Sequence, residues 1–332
     1  MLTLATLALL VTLILGHEWG HFIAAKLLNI KVDEFGVGFP PKLFSKRWRG
    51  TEYSFNLLPF GGFVRIHGED GVIKGKVDLK RSFSVQPFWK KAIVISAGVL
   101  MNFIIGWFAF TAVLMMGVPE GVQIQSIAPA SPAAEAGFIA GEVIAGFTSA
   151  EEFSTYVNDH KGEPITLNGK TITPRMEVPD NEGPLGISFV FNEKVSSQII
   201  PSIKAGFKLT LDTLWAIFAA LGGFLWGIFT GNFDVLEEVS GPVGVFVVVK
   251  EATQLGLVYL IQLLGLISLN LAVLNIIPFP ALDGGRFLFT ALRELFGENV
   301  FHKKLELVVN IAGFVFLIAL MILVTIKDII SL

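Results

Sequence analysis

Four stretches of the chain are almost wholly apolar over the length a helix needs to cross a bilayer, and polar segments of contrasting character separate them. Met1 to Leu15 is apolar, and the apolar run resumes at Phe22 and continues to Ile30. Ile93 to Val118, Leu255 to Ile277 and Leu305 to Ile326 read as three further spans. Each approaches the roughly 20 residues that about 30 Å of hydrocarbon requires. Leu211 to Thr230 is a fifth apolar stretch, with Gly222, Gly223 and Gly227 weakening it as a helix. A span there would reverse the sidedness of everything downstream. Rich in Trp and Phe, it is read instead as a helix lying in the membrane interface or a shallow re-entrant pair, with a fifth span as the alternative.

The polar segments divide by charge. The loop between the first two spans holds Lys42, Lys46, Arg47, Arg49, Arg65, Lys74, Lys76, Lys80, Arg81, Lys90 and Lys91, and so belongs on the cytoplasmic side. Gly121 to about Val195 is acidic, with Glu135, Glu142, Glu151, Glu152, Asp159 and Glu163 among its carboxylates, and is expected on the opposite side. Within the basic loop, Glu52 to Ile66 has β-forming residues on either side of Pro59, Gly61 and Gly62, which predicts a hairpin.

Composition agrees with a membrane protein: of 332 residues 53% are hydrophobic, 30 are Phe, and only 16% are charged. A net charge of −3 without blocks of like charge argues against a nucleic-acid partner. There are no cysteines, so any metal must be held by nitrogen and oxygen. The opening segment lacks a basic n-region and a clear small-residue cleavage site, and is expected to be a span rather than a signal peptide.

His17-Glu18-Trp19-Gly20-His21 interrupts the first apolar run. On a helix, H-E-x-x-H projects two imidazoles from one face and leaves the Glu beside them. Ionisable side chains inside an apolar helix mark function by default. A catalytic zinc usually takes three protein ligands, and the leading candidate for the third is Asp283. It lies in Asn275-Ile276-Ile277-Pro278-Phe279-Pro280-Ala281-Leu282-Asp283-Gly284-Gly285, where two prolines break the helix and two glycines permit unusual backbone. Glu18 is assigned as general base toward the attacking water and then general acid toward the leaving amine. Zn2+ suits this donor set best, although iron or cobalt would fit the same ligands. Gly16 and Gly20 give the first helix a small-residue face, for which the span carrying Asp283 is the expected neighbour. His67, His160 and His302 lack ligand spacing and read as surface residues. The rival readings are a membrane zinc protease of soluble or misfolded chains with its third ligand from a downstream helical Glu, against which Leu282-Asp283-Gly284 argues, and a metal transporter or membrane scaffold, neither of which gives Glu18 a purpose.

With these residues in view, the chain resembles the site-2 proteases, and within them the type of the bacterial regulator of sigma-E protease. The carriers are His17 to His21, Gly61-Gly62, Ala97-Gly98 with Asn102, Ser240-Gly241-Pro242, and Asn275 to Gly285. The resemblance implies a zinc metalloendopeptidase of the bacterial inner, cytoplasmic, membrane. It would cut single-span membrane proteins such as anti-sigma factors after a first protease, or signal-peptide remnants. It also implies that Asn275 binds substrate, and that the hairpin is membrane-associated near the zinc and offers its edge to an unwound substrate. Ser131-Pro132-Ala133-Ala134-Glu135-Ala136-Gly137 and Gly141-Glu142-Val143-Ile144 resemble a PDZ signature, in a region with room for only one such domain. Val99 stands where the family usually has Pro.

The expected fold is therefore a polytopic α-helical membrane protein with four transmembrane helices, a membrane-associated β-hairpin at about 52–66, and one extracytoplasmic PDZ-like α+β domain. Its expected parts are an N-terminal membrane part at 1–118, the PDZ-like domain at 119–195, a membrane-interface segment at 196–254, and a C-terminal membrane part at 255–332, with the active site toward the cytoplasm.

Overall fold

The computed structural model describes residues 2–69, 79–117, 121–139, 141–179, 182–192, 198–232, 241–297 and 303–330. Ser240 and His302 lie outside them. The chain packs as two units, one comprising Met1–Phe108, Leu209–Val248 and Leu264–Leu332, the other Ala109–Lys208 and Val249–Leu263.

Among the described residues, five helices are long and apolar enough to cross a membrane. They lie in α1 (Leu2–Leu27), α2 (Phe88–Met116), α5 (Ile199–Thr230), α7 (Leu257–Ile276) and α9 (Lys303–Ile330). The one beyond the expected four is α5, whose 32 residues run unbroken through Gly222 and Gly223. A Cβ at either glycine would meet nothing within 4 Å, so neither serves a close helix crossing among the described residues.

In the first unit, β1 (Val32–Trp48) and β2 (Thr51–Ile66) follow α1. Their pairing departs from the expected hairpin. The tight turn is at Arg49-Gly50, both with positive φ, and the two arms of 52–66 do not pair with each other. They flank β1 instead: Phe35 is opposite Val64 on one side and Tyr53 on the other, and Gly36 is opposite both Phe63 and Ser54. Glu34, almost fully buried, ties the sheet together through Lys42 and Arg65, each at 2.9 Å. Phe22, Ala25, Ile30, Val32, Phe35, Ile66 and Phe83 form the core between α1 and this sheet.

Helix α2 starts just after Pro87, whose missing N–H is no loss there, and continues unbroken through Val99. It is also the neighbour of the Gly16 and Gly20 face, where the span carrying Asp283 had been expected. A Cβ on Gly20 would lie 2.3 Å from Ala97 O, and one on Gly16 2.4 Å from Ile105 Cδ1. On its other side α2 meets α7: a Cβ on Gly106 would press on Leu269, and Ser268 Oγ donates to Asn102 O at 2.9 Å. Helix α7 stops at Ile276 because prolines at 278 and 280 cannot continue it. The chain turns through Ala281, with φ of 73°, and α8 (Asp283–Phe296) begins.

In the second unit, β3 (Gly121–Ile127) is central to a sheet of order β4-β3-β7, with β4 at Val143–Ile144 and β7 at Ile187–Asn192. A second ribbon pairs β5 (Ile165–Leu167) with β6 (Lys170–Ile172). Helices α3 (Pro132–Glu135) and α4 (Ala150–Asp159) are each capped by a serine, Ser131 and Ser149. Val122, Ile124, Phe138, Ile144, Phe153, Val157 and Leu185 fill the core.

Candidate metal centre

The 100° step of the α-helix stacks residues four apart, so His17 and His21 share one face of α1. Their Nε2 atoms are 3.2 Å apart. Asp283 enters from the first turn of α8, with Oδ2 2.9 Å from His17 Nε2 and 3.1 Å from His21 Nε2. Thus the structure brings together the three residues that the sequence nominated from positions more than 260 apart. His21 and Asp283 are 4% and 8% exposed.

Several features fit a metal. Donor atoms on a tetrahedral zinc, with bonds of about 2.1 Å, lie about 3.4 Å from one another, close to these separations. Asp283 Oδ2 is buried and makes no hydrogen bond of acceptable geometry, despite its short distances to the imidazoles. His21 Nδ1 is 2.8 Å from Val94 O. A carbonyl only accepts, so that nitrogen carries the proton and donates, and Nε2 presents its lone pair to the centre.

The Asn102 side-chain amide is 3.2 Å from His17 Nδ1, and its Oδ1 is buried without a partner. Rotating the amide end for end lets Nδ1–H donate to Oδ1, which satisfies both atoms and frees His17 Nε2 in the same way. Each imidazole is thereby oriented from α2, by a backbone carbonyl in one case and a buried amide in the other. Gly98 completes this wall, because a Cβ there would lie 2.4 Å from His21 Nε2 and 2.6 Å from His17 Cε1. The close approach of α2 needs a residue without a side chain.

Glu18 sits beside the imidazoles without joining them. Its Oε2 accepts from the Val64 N–H at 3.0 Å, which joins the outer arm of β2 to the centre. Gly62 on the same arm is bare because Leu15 and Gly36 O crowd it. Asn275, near the end of α7, lines a cavity of about 210 Å³ with Ser96, Val99, Asp283, Gly284 and Phe287. Its amide is only partly buried. Asn270, by contrast, is occupied one turn back on Leu266 O at 3.0 Å.

Sequence reasoning left α2 without a function at the centre, although the Gly98 and Asn102 positions had been noted. It also placed His67 at the surface, whereas that ring is 2% exposed and its Nδ1 lies 2.9 Å from Asp33 Oδ2. His160 Nδ1 lies 2.8 Å from Tyr156 O at the end of α4.

Comparison with known proteins shows the family. The model of peptidase family M50 matches residues 5–320. A protein of Clostridium perfringens called a putative zinc metalloprotease is 34% identical over 330 residues, covering 96% of this chain and 95% of the relative. Zinc metalloprotease RasP of Shouchella clausii is 31% identical, covering 98% of each chain over an alignment of 422 positions, so that relative carries internal residues this chain lacks. The regulator of sigma-W protease RasP of Bacillus subtilis is 28% identical over 96% of each chain. With the family model matching residues 5–320 and a relative 34% identical over 96% of the chain, the chain belongs to peptidase family M50, the membrane-integral zinc metalloproteases of the site-2 type.

Proposed function

We propose that His17, His21 and Asp283 hold the zinc, that Glu18 moves the proton, and that the chain cuts peptide bonds within or near the transmembrane segments of single-span proteins. The observation that carries this reading is the convergence of the three donor atoms to within 3.2 Å, with Glu18 adjacent and not among them. When bound, zinc supplies Lewis acidity toward a water and toward the scissile carbonyl. Glu18 takes the proton of the attacking water on its carboxylate and delivers it to the leaving amine nitrogen. Val64 N–H keeps one Glu18 oxygen fixed, leaving the other for that transfer.

A substrate helix hides its peptide bonds in internal hydrogen bonds and must be drawn out before it reacts. The outer arm of β2 supplies an edge on which an extended strand can be paired, and the Asn275 amide offers a donor and an acceptor to the same strand. Second cleavage of anti-sigma-factor-like substrates is supported by the sigma-W regulator among the relatives; removal of signal-peptide remnants uses the same chemistry. Residues 121–192 act as the single PDZ-like domain outside the cytoplasm, either reading a trimmed substrate end or excluding bulky ones. The active site lies toward the cytoplasmic face of the inner membrane, surrounded by lipid.

On this reading four helices cross the membrane. His17 lies in the C-terminal half of α1, and Asp283 lies just past the C-terminal end of α7, so both helices must descend toward one face. An even number of crossings then separates the end of α2 from the start of α7. The 14-residue α6 (Pro242–Leu255), about 21 Å long, is short for a return span, which favours α5 in the interface.

The test is cleavage of a model single-span substrate by purified protein in detergent, with bound zinc assayed in parallel. Glu18→Gln is expected to keep zinc and lose cleavage, and Asp283→Ala to lose both. A Glu18→Gln protein that still cleaves would sink the assignment.

A further inference from the structure

Asp283 uses one carboxylate oxygen toward the imidazoles, and its other oxygen, Oδ1, is met by a different group. Arg286 Nη1 lies 3.6 Å from Oδ1, one turn along α8. The same guanidinium pairs through Nη2 with Oε1 of Glu69, just past the end of β2. It also lines a small cavity of about 50 Å³ together with Glu18, His21, Val64 and Asp283. One side chain therefore pairs with a metal-ligand candidate and with Glu69, three residues past the strand that holds the general base, and lines the space beside both.

We infer that Arg286 is a positioning residue that fixes the Asp283 carboxylate through Oδ1, so that Oδ2 stays aimed at His17 and His21, and that Glu69 holds the guanidinium in that posture. This rests on the metal-site reading above. Three physical points support it. A monodentate carboxylate ligand rotates about its Cβ–Cγ bond unless its second oxygen is held, and ligands held from behind bind metal more tightly. Arginine suits the task because its planar fork addresses two carboxylates at once, whereas an ammonium is a point charge. Finally, Gly284 and Gly285 let the first turn of α8 pack against backbone: a Cβ at Gly284 would lie 2.1 Å from Ile277 O, and one at Gly285 2.2 Å from Phe279 O. The turn that separates Asp283 from Arg286 is thus fixed in place. An ordinary surface ion pair would contribute almost nothing to the centre.

The experiment measures zinc affinity of the full chain in detergent by competition with a chromophoric chelator, alongside thermal unfolding of each variant. Arg286→Met should weaken zinc binding about tenfold or more, and Arg286→Lys should recover part of that loss. Glu69→Gln should weaken zinc severalfold. The exchange Glu69→Arg with Arg286→Glu restores the ion pair but sets a carboxylate against Asp283, so its zinc affinity should stay at or below that of Arg286→Met. Native zinc affinity in Arg286→Met, or in the exchanged protein, overturns the inference. Should Arg286→Met fail to fold, Glu69→Gln and Arg286→Lys decide in its place, native affinity in both counting against it. Asp283→Ala serves as the reference: if it binds zinc as the native chain does, the metal-site reading itself fails, whereas loss there with no loss in Arg286→Met defeats only the present inference.

Discussion

The metal centre and the residue 121–192 unit treat buried polar groups in opposite ways. At the centre, Asp283 Oδ2 is buried without a hydrogen-bond partner, and His17 and His21 turn bare nitrogens toward each other. In the β3–β7 unit the core cluster is apolar, and several polar groups beside it are matched locally, Ser131 Oγ accepting from Ala134 N–H and Lys170 donating to Glu142 at 2.8 Å, with Arg175 Nε the buried exception among the described residues. A buried unpaired polar atom destabilises a fold by about 1–3 kcal/mol. The first region therefore carries groups that a ligand would satisfy, while the second meets most of its polar groups from within. Substitutions that damage one region should spare the other, and that separation is open to measurement.

The largest effect is expected in the second region. Phe153 is 2% exposed and packs edge-on against Phe147 and Phe189, with ring centroids 5.0 Å away in each case. Phe153→Ala should destabilise that unit by about 3–5 kcal/mol, read as faster amide hydrogen exchange across β3, β4 and β7. Zinc content of the intact chain should not change. If zinc falls in step with exchange protection, the two regions are not separable.

Next comes the converse experiment at Gly98. A methyl group there would sit against both imidazoles, so Gly98→Ala must push α2 away or turn the rings. A displacement of that size costs on the order of a hundredfold in activity, with zinc affinity falling too and amide exchange in residues 121–192 unaltered. Retention of native cleavage would show that α2 yields more easily than its contacts with Gly20 suggest.

What the sequence disclosed, and what it hid, follows the range of each interaction. His17 and His21 were legible because a helix fixes the relation of residues four apart, and Asp283 because prolines, glycines and a carboxylate together in an apolar stretch have few structural uses. The contribution of α2 was not. Hydropathy says that Ile93 to Val118 crosses a membrane but not which face meets which helix, so the Gly16 and Gly20 face was given the wrong neighbour. Val32–Trp48 was missed as a strand because its pattern is broken by Gly36, Gly38 and adjacent prolines, and its pairing with both arms of β2 is a long-range choice. The burial of His67 beside Asp33 has no local signature at all. Position α5 illustrates the remaining limit, since length and apolarity are the same for a helix that crosses and one that lies flat.

A smaller effect sharpens the comparison inside the centre. Asn102 is fully buried, and its amide is what orients the His17 ring. Asn102→Ala should reduce zinc affinity about tenfold while leaving the ring of His21, held by Val94 O, as it was. Equilibrium dialysis against buffered zinc separates this from the complete loss expected on removing a ligand. An unchanged affinity would mean that the α2 backbone alone positions the pair.

The smallest effect belongs to the cap of α4, where the polar groups are satisfied at the surface. Ser149 Oγ accepts from Glu152 N–H at 3.0 Å, and Glu152 Oε2 accepts from the N–H and hydroxyl of Thr148 at 2.7 and 2.6 Å. Those two bonds from Thr148, the hydroxyl first and the amide second, hold the Glu152 carboxyl below its ordinary range. A lowered folded value means that the carboxylate stabilises the cap above the usual glutamate range and ceases to do so as the pH falls through its folded value. Ser149→Ala should destabilise α4 by about 1 kcal/mol, and Glu152→Gln should remove the acid sensitivity of amide protection at the start of the helix. Neither change should alter zinc affinity or cleavage of the detergent-solubilised substrate, because the groups involved have all their partners within the second unit. A loss of activity from either would place α4 in contact with substrate and make the β3–β7 unit part of the catalytic apparatus.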